Sequence, residues 1–268
     1  MHNARVNNYK IVIEYAGTRY SGWQEQKNAV TVAGELRSAL EKVAGPIDDL
    51  GGAGRTDAGV HALAQVAHVR FERTVDPRRF LEELNAKLPG DIQVTQMSLA
   101  GPRFHARHAA LTRTYLYQIA RRRTAFAKKY VWWVDRNLDL AEMRRALECV
   151  VGEHDFVQFC DRPQDQRTTR VRVDRAELAE SGSLILLRFE ASNFLWRMVR
   201  RLTGALVEVG ANKLSIEDFA ALVAAQPLAP EKGTVSEWTA PPSGLFLVRV
   251  RYEGDPPLGP VVPAFPVS

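Results

Sequence analysis

The chain has 268 residues and a mass of 30.0 kDa, with 46% hydrophobic and 25% charged residues, a net charge of +5 and a pI near 9.3. These are the proportions of a soluble globular protein that can bury a sizeable core. Two cysteines, Cys149 and Cys160, exclude a disulfide framework and a zinc site of paired CxxC motifs. No run of 18 apolar residues is present, so we expect no membrane partner. Residues 1–5 lack the apolar core of a signal peptide, which predicts a cytoplasmic protein.

The first hundred residues predict alternating strands and helices in the order β-α-β-β-α-β. The spacing of apolar residues and the capping residues place strands at 9–15, 47–51, 64–71 and 92–99, and helices at 31–43 and 76–88.

The remainder of the chain predicts a similar order, β-α-β-β-α-α-β. Strands are expected at 112–120, 169–178, 184–191 and 245–252, and helices at 139–151, 194–209 and 215–225. The fold class is therefore α+β, with two tandem ferredoxin-like lobes, mixed and largely antiparallel sheets flanked by helices, and a cleft between the lobes. We expect lobes at 1–100 and 101–253, followed by an extended, weakly ordered proline-rich tail at 254–268.

The distribution of charge points to a partner. Arginine supplies 28 of the 36 basic residues, a bias that a GC-rich genome would also produce, and no acidic residue occurs from Ile92 to Val134. Positive charges interleaved with aromatic side chains are typical of a surface that binds nucleic acid. A solvated basic face together with ordinary core aromatic residues would have the same composition. This acid-free stretch contains Arg103, Arg107, Arg113, Arg121, Arg122, Arg123, Lys128 and Lys129, with Phe104, Tyr115, Tyr117, Phe126, Tyr130, Trp132 and Trp133.

A glycine-rich segment at 51–62 lies between two predicted strands. Its glycine spacing does not fit a dinucleotide fingerprint, because Asp57 stands where the third glycine belongs, and no Gly-Lys-Ser/Thr follows as in a P-loop. The segment therefore displays Asp57 on a tight loop beside Arg55 and His61. The alternative is that Asp57 only caps a turn through nearby backbone amides.

Two further clusters carry basic residues. Arg113, Tyr115 and Tyr117 share one face of the predicted strand, where they can stack on a base or form an ordinary half-buried strand. Arg197, Arg200 and Arg201 share one face of the predicted helix. Their repulsion would be relieved by a phosphate or by a carboxylate such as Asp57, unless they form only a basic surface stripe. His105 and His108 lack partner ligands at metal spacing, so no metal is expected.

Together these clusters resemble the TruA family of tRNA pseudouridine synthases over nearly the whole chain. The motif at 54–62, Gly-Arg-Thr-Asp-Ala-Gly-Val-His-Ala, matches the family's catalytic motif without a gap. The segment at 15–26 is similar to its N-terminal signature, 104–107 with Arg113-x-Tyr115 resembles the segment that carries its tyrosine, and 198–200 and 244–247 fit its C-terminal motifs. The chain departs from the family at Ala16, where an acidic residue is usual, and at His108, where an aromatic ring is usual.

The resemblance implies the pseudouridine synthase fold and the conversion of uridine to pseudouridine at positions 38, 39 and 40 of the tRNA anticodon stem-loop. Asp57 would be the nucleophile, and Arg200 with help from Arg55 would keep its carboxylate charged. Arg55 could instead enter the stem or clamp a phosphate. Tyr115 would stack on the uracil and accept the C5 proton. The reaction needs no redox change and no activated group, so no cofactor is implied.

The resemblance also implies partners. The target base must leave its stack to reach Asp57, and three neighbouring target positions suggest recognition of shape and backbone. Arg55, Arg107, Arg113, Tyr115 and Arg197 are the residues expected to bind substrate, with the acid-free stretch as the RNA track. A homodimer is expected.

Two other functions, RNA binding without catalysis and hydrolysis, make different demands on the sequence. A binding module without chemistry would grip RNA and would not need Asp57. A hydrolase that uses Asp57 on a glycoside would need a second carboxylate, and none occurs in the three clusters. A phosphohydrolase would usually need a metal, for which the ligand spacing is missing.

Overall fold

The computed structural model describes residues 6–267. Residues 1–5, for which the sequence predicts no signal peptide, lie outside the described residues. The chain divides into two units. Unit 1 comprises the described residues up to Leu111 together with Leu247–Asp255, and unit 2 comprises Thr112–Phe246 and the described residues from Pro256 onwards. This division differs from the expected lobes at 1–100 and 101–253, because most of the last strand belongs to unit 1 and the tail belongs to unit 2.

Unit 1 has the predicted order of elements, β-α-β-β-α-β. Its elements are β1 (Asn7–Tyr15), α1 (Val32–Ala44), β2 (Asp49–Gly52), β3 (His61–Phe71), α2 (Pro77–Asn85) and β4 (Ile92–Leu99). The last strand of the chain is β10 (Leu245–Arg251), and its residues from Leu247 onwards belong to unit 1.

The sheet of unit 1 places β1 between β4 and β3, with β2 and β10 also pairing with β3. The pairs of β1 with β3, β1 with β4, and β2 with β3 are all antiparallel, and Ile11 lies opposite both Ala67 and Met97. This is the arrangement expected of a ferredoxin-like lobe. Tyr9 and Phe71 stack in its core with ring centroids 4.9 Å apart.

Both helices of unit 1 begin where their capping residues predict. The Thr31 hydroxyl accepts a hydrogen bond from the Gly34 N–H at 3.2 Å, and the Asp76 carboxylate accepts one from the Arg78 N–H at 3.0 Å. Each bond satisfies a backbone donor that has no partner within the helix. The helices therefore start at fixed positions and direct the chain back to the sheet.

Unit 2 contains the predicted elements and two additional short strands. Its elements are β5 (Thr112–Ala120), β6 (Trp132–Trp133), α3 (Leu140–Glu148), β7 (Gly152–Asp155), β8 (Arg170–Ser181), β9 (Leu184–Ala191), α4 (Met198–Gly210) and α5 (Ile216–Val223).

The sheet of unit 2 runs in the order β5-β9-β8-β7, and β6 pairs with β5. Strands β5, β9, β8 and β7 pair antiparallel, with Tyr115 opposite Phe189, whereas β6 runs parallel to β5. The strands β6 and β7 were not predicted, because they are too short to show a period of two. The α+β class with largely antiparallel sheets is confirmed.

The helix predicted at 194–209 begins later than expected. Arg197 adopts a left-handed conformation with φ of 60°, so regular helix starts only at Met198. The apolar spacing of Phe194 and Met198 suggested helix because periodicity cannot detect one residue with positive φ. Arg197 therefore lies outside the helix, and the expectation that it shares a helical face with Arg200 and Arg201 is wrong.

The half-buried alternative for the strand at 112–120 is also wrong. All nine residues of β5 are buried, including Arg113. Both faces of the strand are covered, so the alternation of side chains between the two faces does not show which of them are accessible.

The expectation of a weakly ordered tail is corrected as well. The Gln118 amide oxygen accepts hydrogen bonds from the N–H groups of Ala264 and Phe265, at 2.7 and 3.1 Å, and the Arg188 Nη1 donates to the Gly259 carbonyl at 2.7 Å. The Phe265 ring stacks on Tyr130 with centroids 4.6 Å apart. Proline composition signals an extended backbone, but it cannot show which residues of unit 2 bind that backbone.

Among residues 6–267, no helix is long and apolar enough to cross a membrane.

The stacking of Phe265 makes the tail part of the stability of unit 2. We expect Phe265→Ala to lower the free energy of unfolding by about 1–2 kcal/mol, because the variant loses the aromatic pair and its buried area. Urea unfolding followed by tryptophan fluorescence measures this change. Val262→Ala is the control, since that side chain is 61% exposed. If both variants unfold at the same urea concentration, the tail is not anchored through Phe265.

Candidate active site

The Asp57 loop connects β2 to β3 in unit 1 and ends in a tight turn. The Val60 N–H donates to the Asp57 carbonyl at 3.1 Å, and Gly59 has a φ of 79°. A positive φ at the third residue is typical of a type II turn and favours glycine. Asp57 is half-buried, whereas Arg55 is exposed. The turn therefore presents a carboxylate at an ordered position beside an accessible guanidinium.

Thr56 fixes the backbone next to Asp57. Its side chain is buried, and its hydroxyl hydrogen-bonds the Tyr15 hydroxyl at 2.8 Å, while its carbonyl accepts from the Trp23 N–H at 3.0 Å. Burial raises the pKa of the Tyr15 phenol, so this group stays protonated at all ordinary pH values. Because both the hydroxyl and the carbonyl of Thr56 are hydrogen-bonded, the neighbouring Asp57 has little freedom to shift.

Two glycines let the segment that follows β1 approach the Asp57 loop closely. A Cβ on Gly17 would lie 1.9 Å from the Val60 carbonyl oxygen, and one on Gly22 would lie 2.5 Å from the Thr56 carbonyl oxygen. Gly22 also has a φ of 94°, which side chains rarely tolerate. The segment at 15–26, similar to a family signature, therefore supports the loop.

The other end of the loop is held by Gln65, which the sequence reasoning missed. Its fully buried side chain donates from Nε2 to the Gly54 carbonyl at 2.9 Å. The Ala53 N–H donates to the Val66 carbonyl at 2.7 Å. The available signal was an amide side chain among the apolar residues Leu63, Val66 and Ala67 of the strand, because a buried amide needs a hydrogen-bonding partner.

Asp91 contacts three residues of the segment that follows β1. The Ala16 N–H donates to the Asp91 carbonyl at 3.0 Å, and the Tyr20 hydroxyl donates to the Asp91 carboxylate. Burial, assisted by this bond and by the negative charge of Asp91, raises the pKa of Tyr20. Arg19 lies 3.4 Å from the same carboxylate. Asp91, next to β4, therefore anchors the loop after β1.

In unit 2, β5 carries Tyr115 in a packed environment. The Tyr115 side chain is 7% exposed, and its ring meets Phe194 edge to face with centroids 5.1 Å apart. Arg113 donates from Nη1 to the Ser192 carbonyl at 2.7 Å. Both side chains are thus held in position by the segment that follows β9.

Tyr117 does not belong to a stacking surface with Tyr115. Its side chain is fully buried, and its hydroxyl donates to the Pro241 carbonyl at 2.6 Å. Burial raises the pKa of Tyr117 well above the usual value. The expectation that two tyrosines and an arginine of this strand contact a base is therefore wrong for Tyr117, because its ring lies in the core.

Arg200 is held by the segment that precedes β10. Its Nε donates to the Ala240 carbonyl at 2.7 Å, and the Ala240 N–H donates to the Arg200 carbonyl at 3.1 Å. The first bond orients the guanidinium, and the second fixes the backbone of the same residue. Arg200 is thereby preorganised on the first turn of α4.

The carboxylate that balances the other two arginines is Asp161, which the sequence reasoning missed. Arg197 Nη1 lies 2.9 Å from one Asp161 oxygen, and Arg201 Nη2 lies 3.6 Å from the other. Burial lowers the pKa of Arg201, and Asp161 opposes that effect. Asp161 therefore offsets the positive charge of Arg197 and Arg201, whereas Arg200 donates to the Ala240 carbonyl.

Arg107, in unit 1, is exposed and lies beside a row of histidine rings. Its N–H donates to His105 Nδ1 at 3.2 Å. The His105 ring lies 4.3 Å from both His68 and His108. Burial, with the charges of these neighbours, lowers the pKa of His105. Within residues 6–267, no group of three or more His, Cys, Asp or Glu side chains could hold a metal ion.

The sequence matches a family model described as tRNA pseudouridine synthase at residues 11–108 and 146–253. The chain belongs to this family. The matched residues include the Asp57 loop, Arg107, Arg197 and Arg200, and they omit Arg113 and Tyr115. The resemblance to a pseudouridine synthase is thereby confirmed, and the chain is an enzyme of the isomerase class.

Several named proteins are similar in sequence to this chain over nearly its full length. The chain is 40% identical over 248 residues to tRNA pseudouridine synthase A of Rhodopseudomonas palustris strain BisA53, covering 91% of this chain and 99% of that protein. It is 40% identical over 250 residues to tRNA pseudouridine synthase A of Citrifermentans bemidjiense, covering 92% and 98%. Among solved structures, an archaeal box H/ACA Nop10–Cbf5 complex is 12% identical with a TM-score of 0.37, covering 88% of this chain and 58% of that chain. That likeness is too low to support an argument.

The close approach of Gly17 to Val60 of the Asp57 loop predicts a position that is sensitive to substitution. We expect Gly17→Ala to lower the free energy of unfolding by about 2 kcal/mol or more, because the added methyl forces the backbone around Val60 to move. Thermal unfolding of the purified variant measures this. Gly54→Ala is the matched control within the loop, since its Cβ would meet no atom within 4 Å. If the control loses as much stability as Gly17→Ala, the packing account fails.

Proposed function

We propose that the chain converts uridine to pseudouridine at positions 38, 39 and 40 of the tRNA anticodon stem-loop, with Asp57 as the nucleophile. The observation that carries this proposal is the Arg55-Thr56-Asp57 motif on a loop that is bonded to Tyr15, Trp23 and Gln65. A nucleophile works best when its position is fixed before the substrate arrives. The bonds to Thr56 and Gly54, together with the bond from the Val60 N–H to the Asp57 carbonyl, provide that order.

The rearrangement defines what the site must do. The N1–C1′ bond breaks, the uracil turns, and the C5–C1′ bond forms, while the proton leaves C5 and N1 gains a proton. No electrons are gained or lost in the balance. An ionised Asp57 can form and release a covalent bond during these steps. The target base must be extruded from its stack to reach this carboxylate.

Tyr115 and Arg200 take the roles that the family resemblance implies. Tyr115 stacks on the uracil and accepts the C5 proton, and Arg200 favours the charged state of the nucleophile with help from Arg55. Their preorganisation within unit 2, through Phe194 and Ala240 respectively, supports these roles. Arg107, Arg113 and Arg197 contribute to substrate binding. Within unit 2, Arg113 also donates to the Ser192 carbonyl, and Arg197 pairs with Asp161.

The reaction is tested by tritium release from transcribed tRNA labelled at uridine C5. We expect wild-type protein to release tritium and Asp57→Asn to release none while binding tRNA with unchanged affinity, because the amide keeps the size of the side chain and removes its charge. Asp48→Asn, an exposed carboxylate of the same unit, is the control and should retain full activity. Binding by wild type without any release would favour an RNA-binding protein without catalysis.

We also propose a cytoplasmic homodimer. Sedimentation equilibrium at micromolar concentration should give the mass of two chains of 30.0 kDa each. A single-chain mass at that concentration would contradict the dimer without affecting the catalytic proposal.

A further inference from the structure

The loop that follows β5 exposes an aromatic ring. The Phe126 side chain is 95% exposed, the highest value among the exposed large hydrophobic residues that the structure describes. A single exposed hydrophobic residue is ordinary on a protein surface, so its surroundings decide its meaning. The surroundings of Phe126 differ from those of a loosely held surface residue in two respects, order and charge.

The loop that presents Phe126 is anchored on both sides of the ring. The Ala127 N–H donates to the Thr124 hydroxyl at 3.2 Å, and the Tyr130 N–H donates to the Ala127 carbonyl at 2.8 Å. Ala127 itself is buried, and the Tyr130 ring stacks on Phe265. Because the loop is already ordered, a ligand that binds Phe126 loses little free energy to the ordering of the protein.

The flanking charges have one sign. From residue 121 to residue 134 the sequence contains five basic residues and no acidic residue. Arg121 pairs with Glu180 from β8, and four further basic residues flank Phe126 in the sequence. Those flanking basic side chains are exposed, and they are Arg122, Arg123, Lys128 and Lys129.

A second aromatic ring lies beside this charge. Trp133 is 38% exposed, and the Arg123 guanidinium lies 5.7 Å from the centroid of its ring. An arginine held over an aromatic ring can still bind phosphate oxygens with the N–H groups at the edge of its planar guanidinium. Rings and cations alternate along the loop as they do in proteins that bind single-stranded nucleic acid.

We propose that residues 121–133 form an RNA-binding loop in which Phe126 stacks on an unpaired base and Arg123 and Lys128 bind phosphates. The proposal rests on the proposed function, which makes RNA the substrate, and it adds a contact outside the reacting nucleotide. A second copy of this chain is disfavoured as the occupant, because two such loops would bring like charges together.

The position of the loop along the chain supports a remote contact. Arg121 lies six positions after Tyr115, a length of about 20 Å in an extended strand. A nucleoside cannot span that distance, whereas a polynucleotide can. The loop therefore acts on binding of the RNA rather than on the chemical step, so that KM changes and kcat does not.

The test compares Phe126→Ala, Phe126→Leu and Phe126→Trp. Stacking requires a ring, so Ala and Leu should weaken binding to tRNA transcript about ten-fold, and Trp should keep wild-type affinity. All three should keep the wild-type kcat for tritium release. A blunt-ended, fully paired RNA duplex serves as a second probe, and the three variants should bind it like wild type.

The control variants separate this loop from general surface effects. Leu99→Ala removes a 66% exposed hydrophobic side chain from unit 1 and should leave tRNA affinity unchanged. Lys128→Gln should reduce the slope of log affinity against log salt by about 0.7–0.9, the value for one phosphate contact. Arg78→Gln, an exposed arginine of α2, should leave that slope unchanged.

The outcomes are distinguishable. Unchanged tRNA affinity in Phe126→Ala, with tritium release intact in wild type, would overturn the loop proposal and leave the proposed function standing. Retained affinity in Phe126→Leu together with a lower sedimentation mass for Phe126→Ala would also overturn it, because those results indicate an apolar contact between copies. Absence of tritium release from wild type would refute the proposed function, whatever the loop variants show.

Discussion

The structure of unit 1 depends on the hydrogen bond between the Tyr15 and Thr56 hydroxyls, which joins the end of β1 to the loop that carries Asp57. Both groups are buried, so the loss of either partner would leave an unsatisfied polar atom in the core. The same contact requires the chain after β1 to pass directly over the loop, which only a residue without Cβ permits at Gly17 and Gly22. A loop rich in glycine is thus made rigid by residues far from it in sequence.

Unit 2 holds its functional side chains by a different means. Tyr115 and Arg113 lie on a strand that is covered on both faces, and Arg200 is tied to Ala240 through its side chain and its backbone. These groups are oriented by packing and by bonds to backbone carbonyls, which do not titrate. Asp161 also contributes, because it pairs with Arg197 and Arg201 and offsets their positive charge.

The acid-free stretch serves two purposes that its composition does not distinguish. Strand β5 and Tyr117 form part of the core of unit 2, whereas the loop after β5 exposes Phe126 among basic residues. The absence of acidic residues suits both environments. A buried strand excludes unpaired carboxylates because of their desolvation cost, and a surface that binds a polyanion excludes them because of repulsion. A charge pattern of one sign therefore indicates a partner only where the side chains are exposed.

The sequence by itself determined the α+β class, the order of the principal elements, the capping of α1 and α2 by Thr31 and Asp76, and the Asp57 motif. These features depend on periodicity, local capping and motif spacing, all of which are encoded within a few residues. Only the tertiary structure decided that helix α4 starts after Arg197, that Gln65 and Asp161 support functional residues, and that the tail is anchored. Those features depend on contacts between residues remote in sequence and on single backbone conformations, which leave no local pattern to read.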